Sequence, residues 1–500
     1  MKKGTYNIIY GIVNLLVTAL LGLIIPRLFL VNFGSEVNGL TSSITQIFAY
    51  VSILEAGVGA ATRQALYQPI GRNDKKEMNA ILSATNKYYQ KTGYLYLVVV
   101  ILLAIVYPLV VQSTISSTIV RAVILMVGLG QVINFFFQNK YNVLLQAEGK
   151  NYIITNLNTL IYVLTSIARI VFLQLGYNVV VVQSAFLIFN LVQALFIVMY
   201  IKKFYSWIDL TVKPNFEAIS QKSSVLIHQI SGLVFNNTDI LVLTIFTNLR
   251  IVSVYTLYNI IFTMASRLTN QISEGLTFAL GQSYGSNIKK FKKLFDVYEL
   301  YYITFVFSIG SILKLVTIPF MNIYTKGITD INYTDSAIAN LFIVQMLLLS
   351  ARSPSRQAID VAGHFKNTKW QSIFESIINL AVSLVLVNFI GIYGVLIGTI
   401  VALIYRTNDM ILYSNKKIIL INSWTTYRRW LVNFGIFVLF NVLFNYLSIE
   451  MDSLISIIIV GIVSVFIIMP SYFIINSLIE RKTFHSLLDI VTPYIKRKIR

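Results

Sequence analysis

Apolar residues run along this chain in blocks of about twenty, separated by short polar loops. A membrane-crossing helix needs about 20 mostly apolar residues. Fourteen stretches meet that need, near 6–31, 37–64, 89–112, 118–142, 151–175, 178–201, 219–247, 251–280, 298–322, 336–357, 371–389, 391–412, 430–447 and 453–477. Leu95 to Val111 and Leu454 to Ile475 are plainly apolar. The stretches 37–64 and 251–280 are diluted with Asn, Gln, Ser, Thr and Tyr. Polar dilution is costly in lipid, so those helices are expected to face protein or water on one side. The pattern predicts an all-α polytopic membrane protein with about 14 transmembrane helices. The first span is too long for a cleaved signal peptide, and no small-residue cleavage site interrupts the run into the second.

Composition sharpens this reading. The chain has 500 residues, 56% of them hydrophobic and only 12% charged, yet its net charge is +20. Such hydrophobicity excludes a disordered chain, and apolar blocks of this length turn the charge away from nucleic acid. There is no cysteine and there are three scattered histidines, which excludes disulfide frameworks and thiol nucleophiles and leaves no metal set. The positive charge sits in alternate loops: Lys75 and Lys76, Lys202 and Lys203, Lys289 to Lys293, Lys416 and Lys417, and a tail ending Lys496-Arg497-Lys498-Ile499-Arg500. The opposite loops hold only Arg121, Arg250 and Lys326. By the positive-inside rule both termini are cytoplasmic, the protein is a multi-pass protein of the cell (plasma) membrane, and the basic loops meet anionic membrane lipids.

The loops also repeat. Ala65-Leu66-Tyr67-Gln68-Pro69-Ile70-Gly71-Arg72-Asn73-Asp74-Lys75-Lys76 matches Ala279-Leu280-Gly281-Gln282-Ser283-Tyr284-Gly285-Ser286-Asn287-Ile288-Lys289-Lys290 at seven of twelve positions, 214 residues apart. The repeat unit is then six spans, with both copies in the same orientation. It divides the chain into a six-span lobe at 1–215, a second at 216–415, two further spans at 416–480 and a basic cytoplasmic tail at 481–500. Two lobes around a site are how many secondary transporters alternate access.

Ionisable residues inside spans are functional candidates, because lipid penalises them. They are Arg27, Glu55, Arg63, Arg169, Asp239, Arg267, Glu274 and Lys314, with Arg352 and Arg356 flanking Pro354. Basic groups outnumber acids, and guanidinium suits phosphate because it binds it bidentately. Arg352, Arg356 and Arg406 lie near the inner boundary, where they are expected to snorkel to headgroups. For Arg169 and Lys314, snorkelling outward and a cavity role stay open. Arg267 is deepest, on a stripe with Asn259, Thr263, Ser266, Asn270 and Glu274; an intrahelical bridge through Asn270 to Glu274 is one structural use. Ser43, Gln46 and Tyr50, and Gln131, Asn134, Gln138 and Asn142, form further stripes, suited to interhelical hydrogen bonds or to a sugar-compatible wall.

Asn32-Phe33-Gly34-Ser35-Glu36-Val37-Asn38-Gly39-Leu40, then Leu54-Glu55-Ala56-Gly57-Val58-Gly59 and Arg63, the Asn-Asn-Thr-Asp run ending at Asp239, and Val254-Tyr255 resemble bacterial polysaccharide flippases of the Wzx type. These belong to the multidrug/oligosaccharidyl-lipid/polysaccharide exporter superfamily. The resemblance implies two six-helix lobes in a V-shape plus two C-terminal helices. It implies a flippase that moves undecaprenyl-diphosphate-linked oligosaccharide from inner to outer leaflet for surface polysaccharide export, and therefore a transporter rather than an enzyme. Lipid II flippases of the superfamily place arginines of spans one, two and eight around the diphosphate, which Arg27, Arg63 and Arg267 match by order. Substrate-binding candidates are these three with Arg169, Asn259, Asn270 and Gln138. Glu55, Asp239 and Glu274 are candidates for coupling to a proton or sodium ion, and no other cofactor is expected. A polysaccharide polymerase and glycosyltransferases are candidate partners. A multidrug antiporter of the same fold is the alternative, and a polytopic polymerase a lesser one, since the short outer loops leave little room for catalysis.

Overall fold

The computed structural model describes residues 2–55, 58–220, 223–447 and 449–499. Among these residues there is no strand. In chain order the helices are α1 (Lys2–Val51), α2 (Val58–Arg72), α3 (Lys75–Val110), α4 (Ser117–Ile133), α5 (Asn139–Ala147), α6 (Asn151–Gln174), α7 (Val179–Phe204), α8 (Ser223–Phe246) and α9 (Leu249–Ser286). They continue as α10 (Ile288–Tyr324), α11 (Ser336–Ala351), α12 (Ser353–Val361), α13 (Phe365–Ile390), α14 (Ile392–Ser414), α15 (Trp424–Leu447), α16 (Leu454–Ile479) and α17 (Arg481–Ile499).

Twelve of the described helices are long and apolar enough to cross a membrane, so the chain is a multi-pass membrane protein. The difference from the fourteen expected spans has two sources. Val13–Val51 counts as one helix, but Gly34 inside it has φ +80 and ψ 176, a conformation open to glycine alone at low cost. The backbone therefore breaks there, between the first two expected spans. The seventh expected span falls on α8, of which only the shorter apolar stretch Asn237–Phe246 is counted.

Helix boundaries recur at the offset seen in the loops. After the Gly34 break helix resumes at Ser35, and α9 starts at Leu249. The pairs α3 and α10, α5 and α12, and α6 and α13 start or end at matching positions. Asp74 caps α3 by accepting from the Glu77 amide at 3.0 Å. Asn287 caps α10 by accepting from the Lys289 and Lys290 amides at 3.0 and 3.1 Å. Each cap satisfies amides that the helix start leaves free. The copies differ after the second expected span. Where α9 runs without interruption, the first copy leaves the α-helix after Val51, makes a tight turn over Ser52–Glu55 and resumes as α2.

The chain divides into two compact units, 1–256 with 328–331 and 257–327 with 332–500. In the first unit the break at Gly34 is secured by Asp330, which accepts from the Ser35 amide and hydroxyl at 2.9 and 2.6 Å. A carboxylate there offsets the positive end of the resumed helix. Ser43, Gln46 and Tyr50 bond Thr244, Asn237 and Thr238 of α8 at 3.0, 2.5 and 2.7 Å, so this stripe joins helices.

In the second unit the two C-terminal spans attach to α10. The Tyr472 and Ser311 hydroxyls bond at 2.8 Å, and the Tyr301 ring stacks on Phe473. Arg429 on α15 reaches Asp296, Glu299 and Glu480 at 2.6, 2.6 and 2.7 Å. The segment 481–499, read from sequence as a basic tail, is helical in α17 and holds α10 through Lys293 and Asp489 at 2.6 Å.

Candidate functional site

A cavity of about 660 Å³ lies inside the first unit. Two irregular stretches of backbone form part of its wall. One is the tight turn after α1, which contributes Ser52 and Glu55. The other is a single widened helical turn at Asn134–Gln138 between α4 and α5, which contributes Asn134 and Phe135. Backbone that leaves the α-helix at membrane depth is tolerated where protein covers it or where it lines a wet cavity, and widened turns concentrate at functional sites. Both stretches here border the cavity.

Amides dominate the polar lining: Gln131, Asn134, Asn139, Asn158, Gln183, Asn190 and Gln193. Each amide both donates and accepts. Among the described residues the lining has one cation, Arg169 on α6, and one carboxylate, Glu55. Arg169 Nη2 donates to Gln183 Oε1 at 2.8 Å, and Gln183 Nε2 in turn donates to Thr41 at 3.3 Å. The guanidinium carbon lies 5.9 and 6.0 Å from the ring centres of Phe29 and Phe186, a cation–π arrangement that stiffens it. Its Nε has no hydrogen-bond partner. Among the described residues no carboxylate pairs with it.

Beside the cavity, Glu55 lies within electrostatic reach of Arg63 and the Tyr89 hydroxyl. Arg63 Nη1 donates to Gln146 at 2.8 Å. The backbone of Gly59 admits both neighbours: a Cβ there would stand 3.3 Å from the Tyr89 oxygen and 3.7 Å from Arg63 Nη1. Gln138 donates to the Asn190 carbonyl at 3.4 Å. Lys140 is buried with no carboxylate partner among the described residues, and donates to Asn86 Oδ1 at 2.7 Å and to the Phe136 carbonyl at 2.9 Å.

The other sequence candidates sit elsewhere. Arg27 is half-buried on α1. Asp239 is buried and accepts from the Tyr255 hydroxyl at 2.9 Å. In the second unit, Asn259 accepts from Thr263 at 3.1 Å and Asn270 is half-buried. Arg267 and Glu274 are exposed and make no ion pair with any described residue, so the intrahelical bridge does not form. Lys314 donates to Asn340 at 2.6 Å.

Arg352 and Arg406 do not snorkel. Arg352 Nη1 meets Glu375 at 2.7 Å, and Arg406 contacts Asp409 and lies 3.6 Å from the other Glu375 oxygen. Two guanidiniums facing two carboxylates make a buried cluster of no net charge, which removes the reason to reach for headgroups. Arg356 is exposed and lies 3.6 Å from Asp360. Sequence reasoning passed over both ionic clusters of this unit. Part of the signal was local: Asp296 and Glu299, and Arg406 and Asp409, stand three residues apart on one helix face.

At Lys150, outside the spans, burial works against the charge, but Glu148 and Tyr205 outweigh it and hold the ammonium well above the ordinary lysine range. It bonds Glu148 and Tyr205 at 2.6 and 2.7 Å and serves the turn between α5 and α6.

No known family profile matches the sequence, and neither does any curated protein. Solved structures do. The chain is similar to the lipid II flippase MurJ in an inward closed conformation, with TM-score 0.68 and 16% identity over 95% of this chain and 100% of that one. It is also similar to a multidrug resistance MATE family transporter of the MOP superfamily. The inward-facing form gives TM-score 0.59 and 18% identity over 82% of this chain and 96% of that one. The outward-facing form gives 0.55 and 18% over 85% and 96%. The chain has the fold these transporters share.

Proposed function

We propose that the protein is a flippase that carries undecaprenyl-diphosphate-linked oligosaccharide from the inner to the outer leaflet of the plasma membrane by alternating access, for surface polysaccharide export. The observation that carries this reading is an amide-lined cavity bordered by interrupted helices, in a chain with the fold of a lipid II flippase. Amides match sugar hydroxyls, which need donors and acceptors together. Arg27, Arg63 and Arg267 are the guanidiniums proposed for the diphosphate, and among the described residues Arg267 forms no ion pair. Asn259, Asn270 and Gln138 serve the glycan. Glu55, Asp239 and Glu274 are the carboxylates through which a proton or sodium ion would couple to transport. Both termini face the cytoplasm, and the polymerase and glycosyltransferases of the same pathway are its partners.

A second reading, a multidrug antiporter, draws on Glu55 in the cavity wall and on the likeness to MATE transporters. Against it stands Arg169, an unpaired cation facing the same space. Arg267→Ala in cells should remove surface polysaccharide while the protein stays in the membrane. Normal polysaccharide in a strain lacking the gene, together with ethidium efflux that depends on Glu55, would replace the flippase reading with the antiporter.

A further inference from the structure

The two copies of the repeat pack their last helix pair differently. In the second unit, Gly394 and Gly398 let α14 lie directly against α13: added Cβ atoms would collide with the backbone of Leu386 and of Ser383. Small residues four apart are how membrane helices approach this closely. At the repeat offset, the first unit has Val180 and Ser184 in place of these glycines and Arg169 in place of Ser383. The α6–α7 pair therefore lacks that close seam, and the Arg169–Gln183 bond spans it instead. Arg169 occupies a gap that the other copy closes.

What remains of this guanidinium is suited to one small anion. One Nη is on Gln183, two phenyl rings hold the plane, Nε is unbonded and no carboxylate is paired with it. Among the described residues the lining has one basic side chain, Arg169, and one carboxyl, Glu55. A diphosphate brings at least two negative charges, and the described lining offers it one cation. A sugar carboxylate brings one charge on a ring whose hydroxyls suit Asn158, Asn190 and Gln193. The volume falls within the range of small-molecule sites, about 300–1,000 Å³.

We infer that the cavity of the first unit is a saccharide subsite in which Arg169 receives the carboxylate of an acidic sugar, separate from the group that holds the diphosphate. The inference rests on the flippase reading for the source of that sugar. The test uses the full-length protein in nanodiscs and three probes: a disaccharide containing glucuronic acid, its methyl ester, and inorganic pyrophosphate, each followed by calorimetry. The native protein should bind the acid more tightly than the ester, by about 10- to 100-fold, as expected for a hydrogen bond to a charged group. Arg169→Gln should erase that preference, Arg169→Lys should keep part of it, and pyrophosphate should not displace the acid. No binding of the acid, equal binding of acid and ester by the native protein, a preference that survives Arg169→Gln, or displacement by pyrophosphate would each overturn the inference. Failure of the flippase reading is distinguishable: surface polysaccharide would persist without the gene while the acid preference remained.

Discussion

Replacing Arg429 by Met tests how the C-terminal spans are held. The arginine is 2% exposed. It gives Glu299 a bond at 2.6 Å, Asp296 one at 2.6 Å, and Glu480 bonds at 2.7 and 3.1 Å. Methionine keeps the apolar stem and removes every one of these. Asp296 is 39% exposed at its side chain and can hydrate. Glu299 is 1% exposed and would keep only the Thr426 hydroxyl at 2.8 Å. Breaking a buried pair by removing one partner costs about 3–5 kcal/mol, which lowers the melting temperature of a unit this size by on the order of 10 °C. Thermal unfolding in detergent can be read from Trp430, whose ring meets Phe307 edge-on at 5.9 Å. Adding Glu299→Gln to the variant should restore part of the loss, because it removes the stranded charge. Melting of Arg429→Met within a degree or two of the native protein would refute the reasoning.

Other consequences follow from single contacts. Asp330→Ala strips the Ser35 amide and hydroxyl of their acceptor and should cost about 0.5–2 kcal/mol, seen as a lower melting temperature; an unchanged one would mean the cap contributes nothing. At Glu480, outside the spans, burial acts to raise the carboxyl, but Arg429 and Arg428 outweigh it and hold it below the ordinary range. Its contribution is therefore present above the unfolded glutamate value of about 4.3 and is lost as pH falls through the lowered folded value. Melting temperature should drop only on acidification below about pH 4, and Glu480→Gln should flatten that limb. The chain has no cysteine, so a single one at Asn248 should react with an impermeant maleimide on intact cells, and one at Lys289 only after permeabilisation. The reverse pattern would invert the topology.

Much of the fold was legible because lipid imposes it. A backbone with no water to bond must form long apolar helices, and two of the loops between them could be aligned by matched Ala, Leu, Gln, Gly, Asn and Lys positions. The 214-residue offset seen in two short loops also relates the starts of α5 and α12 and of α6 and α13, while α3 and α10 start 213 residues apart behind their own caps, Asp74 and Asn287. The tight turn at Ser52–Glu55 was not legible. Its residues are compatible with a helix, and the matching positions in α9 are helical. Arg169 was legible as an ionisable residue in a span but not as a cation held in a cavity wall, since that depends on Gln183, Phe29 and Phe186 meeting it. The pairing of Arg352 with Glu375, or of Arg429 with Glu299, joins residues 23 and 130 positions apart. No local pattern announces partners at those separations, so snorkelling was the expectation for Arg352 and Arg406. The stripe Gln131, Asn134 and Gln138 divides between uses: the first two face the cavity, and the third bonds a neighbouring helix.

The central claim is that this protein moves a lipid-linked glycan across the bilayer. Its most direct test is reconstitution of the purified protein into vesicles whose undecaprenyl-diphosphate oligosaccharide is confined to the inner leaflet, followed by an impermeant glycosidase added outside. The account predicts that vesicles with the native protein expose the glycan to the enzyme and that vesicles with Arg267→Ala do not. Equal protection of the glycan in native-protein vesicles and protein-free vesicles would contradict it.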